Sequence, residues 1–249
     1  MKKIPFIIIS FALAAMFPAF ADPAPMLQVQ SGTDIVDITL SSEGNGVWGI
    51  NSPASYSLGN GASFTLDTVT LNSDPNVFYG IGVTNTATGD TPYTFTFVTP
   101  TNLSAGQYSV SSSLAGSLTN GGSSGVTLEP TTVGSSTVPV QQSFIGVNDA
   151  GVDLLTTSIT NTPSPLSQPF GSFTANSTYN LTSSVTQISV TTSFDLSGDA
   201  AASLSGQFDV EADVEAVPEP SSFALGVLCA GAFLMIVRRR VAVGGKYGR

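Results

Sequence analysis

An antiparallel, all-β, sandwich-like domain is the fold this sequence predicts, and three observations predict it. Between Asp22 and Ala216 the chain is dominated by Ser, Thr, Gly and Asn, while the helix formers Lys and Arg are missing and Glu is scarce. Its β-branched and aromatic residues recur with a period of two. Clusters of turn-forming residues interrupt these runs at short intervals, as in sandwiches and barrels.

In chain order, the first clear run places Val77, Tyr79, Ile81 and Val83 on one face. Tyr93, Phe95 and Phe97 then alternate with Thr94, Thr96 and Val98, and Tyr108, Val110, Ser112 and Leu114 follow. Ile188, Val190, Thr192, Phe194 and Leu196 form a fourth run, and Leu204, Gly206, Phe208, Val210, Ala212 and Val214 a fifth. Such alternation buries one set of side chains and wets the other, the pattern of antiparallel sheets with one solvated side. Asn60-Gly61, Asn72 to Pro75, Gly89 to Pro92, Asn120 to Gly125 and Gly198-Asp199 supply the turns, because positive φ or a proline-fixed φ comes easily there. The stretch from Asn161 to Phe170, with prolines at 163, 165 and 169, reads as a long loop or edge connection, since proline cannot donate to a sheet ladder. A domain boundary is the alternative. The span 22–216 suffices for one sandwich-sized domain and barely for two, and it shows no internal repeat.

The N-terminal 21 residues read as a secretory signal. Lys2 and Lys3 are followed by an apolar run from Ile4 to Phe17, and Ala19-Phe20-Ala21 gives signal peptidase a small-x-small site before Asp22. That run is shorter than the roughly 20 residues needed to span hydrocarbon.

Charge is partitioned along the chain. All seven basic residues lie at Lys2, Lys3, Arg238, Arg239, Arg240, Lys246 and Arg249, and all 17 acids lie between Asp22 and Glu219. From Asp22 to Val237 there is no Lys, Arg or His. Nucleic-acid binding is excluded, because nothing could displace counterions from phosphates. Anionic surfaces are poor direct partners for the same reason. Without His, Ser-His-Asp and Cys-His catalysis and His-based zinc sites are excluded as well. A glycosidase-type carboxylate pair among Asp34, Asp37, Glu43, Asp67, Asp149 and Asp153 is the one catalytic arrangement left open, and the expectation is that the protein is not an enzyme.

Cys229 is the single cysteine and lies in the C-terminal apolar run, so the domain has no internal disulfide. Residues 209–215 read Asp-Val-Glu-Ala-Asp-Val-Glu, which aligns four carboxylates if this is the last strand. An acidic edge strand or stalk is the favoured reading; Ca²⁺ recruitment is the alternative, and no cofactor is otherwise expected. Trp48, Tyr56, Tyr79, Tyr93, Tyr108 and Tyr179 offer flat faces for sugar rings, with Trp48 the best single candidate and core filling its competing role. Sequons occur at Asn102, Asn176 and Asn180.

The C-terminus combines three parts. Val217-Pro218-Glu219-Pro220 precedes an apolar segment from Ser221 to Val237, whose 17 residues cover about 25 Å as a helix. Arg238, Arg239 and Arg240 then hold the tail 241–249 in the cytoplasm. The two prolines keep the approach to the span extended, as a protease needs its substrate. Together these residues resemble the PEP-CTERM sorting domain of bacterial exported proteins, which here covers residues 217–240. The resemblance implies recognition and cleavage by exosortase, an integral membrane transpeptidase-like enzyme, in a bacterium that makes exopolysaccharide. The tail after the arginines is longer than in many members of that family.

The expected protein is therefore an exported one, anchored in the inner membrane as a precursor and then delivered to the cell surface or beyond. There it would act without catalysis in exopolysaccharide, biofilm or floc matrix. A carbohydrate-binding module is the alternative, with a glycoside-active enzyme third.

Overall fold

The computed structural model describes residues 25–122, 125–146, 151–162 and 167–213. The segments read as signal peptide, sorting signal, membrane span and tail lie outside these residues. Among the described residues no helix is long and apolar enough to cross a membrane.

Each of the five alternating runs lies in a strand as far as its residues are described. In chain order the strands are β1 (Met26–Ser31), β2 (Asp34–Ile38), β3 (Ser41–Gly44), β4 (Val47–Gly49), β5 (Ala54–Ser57), β6 (Ala62–Asn72), β7 (Asn76–Asn85), β8 (Thr91–Leu103) and β9 (Gly106–Asn120). The chain continues through β10 (Val126–Pro130), β11 (Thr132–Val133), β12 (Ser136–Thr137), β13 (Gln141–Ile145), β14 (Gly151–Leu154) and β15 (Ile159–Asn161). It ends in three long strands, β16 (Ser167–Leu181), β17 (Val185–Leu196) and β18 (Ala200–Ala212).

Two antiparallel eight-stranded sheets result. The first runs β14-β13-β17-β8-β1-β2, with β10 sharing β17's flank with β13 and carrying β15. The second runs β16-β9-β18-β7-β6-β4-β3, with β5 also on β6. The sheets face each other as a sandwich, and one apolar cluster draws on both. Phe64 of the second sheet meets Phe95 of the first edge-to-face at 5.6 Å, and Tyr79 stacks on Phe97 at 4.5 Å. Phe64, Phe95, Phe97, Phe194 and Phe208 are all buried, each contributing about 1.5–3 kcal/mol of transfer free energy.

The turn chemistry works as the sequence indicates. Asn72 to Pro75 joins β6 to β7, where the Asn72 carboxamide accepts from the Asp74 N–H at 3.0 Å. At Gly198-Asp199, between β17 and β18, Asp199 takes φ 52°, the left-handed region in which Asp is tolerated.

Three expectations are refined. The stretch from Asn161 to Phe170 is not wholly a loop: Asn161 ends β15, and Ser167 already begins β16. β16 accepts Pro169 because it lies at the sheet edge and the register slips between Pro169 and Gly171. The acidic stretch is the exit of an interior strand, since β18 runs between β9 and β7 as far as Asp209. From Val210 to Ala212 its one ladder partner among the described residues is β9, the edge position expected of this stretch. Its alternation also stops early: Ala212 is exposed at the end of β18, and Val214 lies outside the described residues.

Candidate functional site

The outward face of the first sheet carries a continuous polar row. Register places Asp37 (β2) beside Gln28 (β1), Gln28 beside Thr96 (β8), and Thr96 beside Thr191 (β17). Thr191 in turn meets Gln142 (β13), and Gln142 meets Asp153 (β14). The row Asp-Gln-Thr-Thr-Gln-Asp therefore reads alike from either end and crosses six strands, about 24 Å at normal strand spacing. Its two halves are held the same way. The Gln28 carboxamide donates to Asp37 at 2.8 Å, and that of Gln142 donates to Asp153 at 3.2 Å. Each bond links a glutamine amide to the carboxylate on the neighbouring edge strand. The next row toward one end adds Gln30, Thr94 and Ser193, with the two hydroxyls 2.9 Å apart. The row on the other side places Phe144 opposite Gly151, so close that a side chain on Gly151 would strike the ring at 2.8 Å. Amides, hydroxyls and carboxylates beside an aromatic edge supply the donors and acceptors that hydrogen bonds to a neutral polyhydroxylated ligand would require.

A cleft of ≈ 610 Å³ opens at one end of the sandwich, lined by Asp90, Asn120, Thr127, Thr160, Ser197 and Asp199 among others. Asn120 is 4% exposed, and its carbonyl oxygen accepts from the Gly122 N–H at 2.9 Å. Beside the cleft, Asp195 on β17 pairs across the sheet with Glu129. Burial, then the Asp90 and Glu129 carboxylates, push its carboxyl above the usual range.

The sequence-predicted candidates distribute as follows. Trp48 is half-buried in β4, opposite the buried Leu71, and packs against the core. Tyr79, Tyr93 and Tyr108 cannot present faces to sugars, because all three are buried. Tyr79 is fully enclosed: its hydroxyl donates to Gln141 Oε1 at 2.6 Å and lies 2.6 Å from Thr192 Oγ1. Burial raises its phenol well above the ordinary value, opposed only by the Thr192 contact. Tyr56 is half-buried and stacked on Phe64, and half-buried Tyr179 donates its hydroxyl to the Gly151 carbonyl.

Of the six carboxylates weighed as an acid-base pair, Asp34 and Asp37 sit on β2 and Asp153 on β14, at opposite edges of one sheet. Glu43 and Asp67 belong to the other sheet, and Asp149 lies outside the described residues. The end cleft is lined by none of them; its acids are Asp90 and Asp199. Among the described residues no three Asp, Glu, His or Cys side chains gather to hold a metal ion. Asp209 of the acidic stretch is committed to Asn76 and to Gln207, which donates at 2.5 Å.

Sequence reasoning missed the polar row and the end cleft. Gln28 and Gln142 carry no local motif, and only strand pairing lines them up.

No family model matches the chain, and no curated protein is significantly similar to it. Among solved structures, the structure of TmCBM61 in complex with β-1,4-galactotriose is similar at TM-score 0.28 and 10% identity, covering 66% of this chain and 90% of that one. The structure of infectious bursal disease virus Gx strain aligns at TM-score 0.14 and 16% identity, over 88% of this chain and 70% of that one. Likenesses this distant define neither a family nor a ligand.

Proposed function

We propose that this is an exported, non-catalytic protein that works in an exopolysaccharide matrix at or beyond the cell surface. Signal peptidase would cut after Ala21, and an exosortase-type enzyme would process the segment beginning at Pro218-Glu219-Pro220, before the span that ends at Arg238-Arg239-Arg240. The observation that carries the matrix role is the absence of any Lys, Arg or His between Asp22 and Val237 in a chain whose sheet faces are surfaced with Ser, Thr, Asn and Gln. Such a surface hydrogen-bonds sugar hydroxyls and leaves phosphate backbones and anionic membranes alone. Ca²⁺ bridging between its carboxylates and an anionic polysaccharide is a further contribution this reading accommodates.

A second reading, a dedicated carbohydrate-binding module, is favoured by the two-fold Asp-Gln-Thr-Thr-Gln-Asp row, whose length suits an extended glycan chain lying across the strands. Intact-mass analysis of the protein from its own host tests the first reading. A mass starting at Asp22 and ending near residue 218 supports it; full-length polypeptide in the cytosol, with Met1 and Arg249 both present, overturns it. Glycan retention separates the readings. Loss on Gln28→Ala/Gln142→Ala, with Trp48→Ala inert, assigns a module on the first sheet. Loss on Trp48→Ala alone assigns it to Trp48, and retention in both variants leaves only diffuse matrix contact.

A further inference from the structure

The edges of the two sheets are not alike. β2 ends the first sheet with Asp34 and Asp37, and β14 ends it on the other side with Asp153. β3 ends the second sheet with Glu43 and is four residues long. Short length and charge both discourage another strand from adding to such edges. β16 has neither defence. It is 15 residues long, carries no charged side chain, and among the described residues pairs only with β9. Its Pro169 and the register slip there protect the first few residues, but from Gly171 to Leu181 the ladder to β9 is regular.

We propose that β16 is a self-association edge, on which a second copy of this chain pairs antiparallel through its own β16, joining two sheets into one. Charge argues for a second copy as the occupant. Acids pervade the chain and bases are confined to its ends, yet β16 is neutral, so a copy can approach there without setting like charges opposite each other. The register argues for it too. A two-fold axis at Asn176 is the alignment that pairs the whole regular run, Gly171 opposite Leu181 of the copy. That register also keeps inward residues opposite inward ones. Phe173 and Tyr179, both packed against the core, then face each other twice as an aromatic pair. Ala175 meets Ser177, and on the exposed face Thr174 meets Thr178, Ser172 meets Asn180, and Asn176 meets itself. Aromatic and Thr–Thr cross-strand pairs are among those that stabilise antiparallel ladders.

Position-specific cross-linking of the full-length chain tests this. The background is Cys229→Ser, the protein is made in a host without N-glycosylation, because Asn176 and Asn180 are sequon residues, and it is held in non-ionic detergent. Under mild oxidation Asn176→Cys should form a disulfide-linked dimer, since directly opposed strand residues lie within disulfide reach. Ser172→Cys and Asn180→Cys should each stay monomeric alone and cross-link when mixed. In sedimentation, Thr174→Lys/Thr178→Lys should raise the dimer dissociation constant at least about tenfold relative to Thr174→Glu/Thr178→Lys, which opposes unlike charges at the same two places. A monomeric parent chain at 100 μM, cross-linking at all three cysteine positions alike, or equal dissociation constants for the two charge variants would each overturn the proposal.

Discussion

Tyr79 shows how much one residue can hold in this core. Its ring stacks on Phe97 and its hydroxyl joins Gln141 and Thr192 of the opposite sheet. Gln141 continues the chain of bonds to Ser112 at 2.7 Å, and Ser112 lies 3.0 Å from Ser143. All five polar residues are buried, so each bond offsets a desolvation cost that would otherwise stand alone. Tyr79→Phe should therefore lower stability by about 1–3 kcal/mol in denaturant titration, with Gln141 and Thr192 left short of a partner. Gly206 makes the network sterically feasible, because a Cβ there would lie 2.2 Å from the Tyr79 ring and hydroxyl. Gly206→Ala should cost about 1–3 kcal/mol by the same measurement, despite alanine's better strand propensity. Ser112 and Thr192 are legible in the sequence as inward positions of their strands. Gln141 is not, since nothing in Val140-Gln141-Gln142 says which glutamine turns inward.

At the scale of elements, Asn85 ties two turns together. Fully buried at the end of β7, its carboxamide donates to the carbonyls of Gly89 at 2.8 Å, Leu196 at 2.9 Å and Ser197 at 3.1 Å. Its oxygen accepts from the Ala87 N–H at 3.0 Å. The β7–β8 and β17–β18 connections, each of which crosses from one sheet to the other, are thus joined through one amide. Asn85→Ala should destabilise by about 1–3 kcal/mol by leaving those carbonyls unpaired. Asn85→Asp should cost more than Asn85→Ala, because a carboxylate there can donate to none of them and adds a buried charge; paired thermal melts check the order. The turns themselves are legible, since Gly89 to Pro92 and Gly198-Asp199 are local turn chemistry. Their connection is not, because Asn85 and Leu196 are far apart in the chain.

Across the whole molecule, stability should rise as pH falls from neutral into the mildly acidic range. Burial and neighbouring carboxylates raise Asp195; burial, and to a lesser degree Glu211, raise Asp209 against the lowering bond from Gln207. Raised carboxyl groups take up protons in the folded state before the unfolded one, so stability gained below their folded-state pKa is lost as pH rises through it. Self-repulsion among 17 acids acts in the same direction. A melting temperature that falls between pH 8 and pH 5 would contradict this. Protease susceptibility gives an independent check on the charge partition. Trypsin should leave residues 22–237 intact even after heat unfolding, and a tryptic end inside that range by mass spectrometry would contradict it.

By itself the sequence determined the strand-forming character of the chain, its turns, the inward side of the five alternating runs, and the confinement of basic charge to its ends. Each of these is local: a period of two, a turn residue or a count of charges needs no knowledge of neighbours. Only the tertiary structure decided which strands lie together. It put β18 inside the sheet, left β16 at the edge, aligned Gln28 with Gln142 through Thr96 and Thr191, and joined the Tyr79 hydroxyl to Gln141 and Thr192 of the opposite sheet. Pairing between distant strands is fixed by how whole faces pack against each other, and no short stretch of residues encodes that.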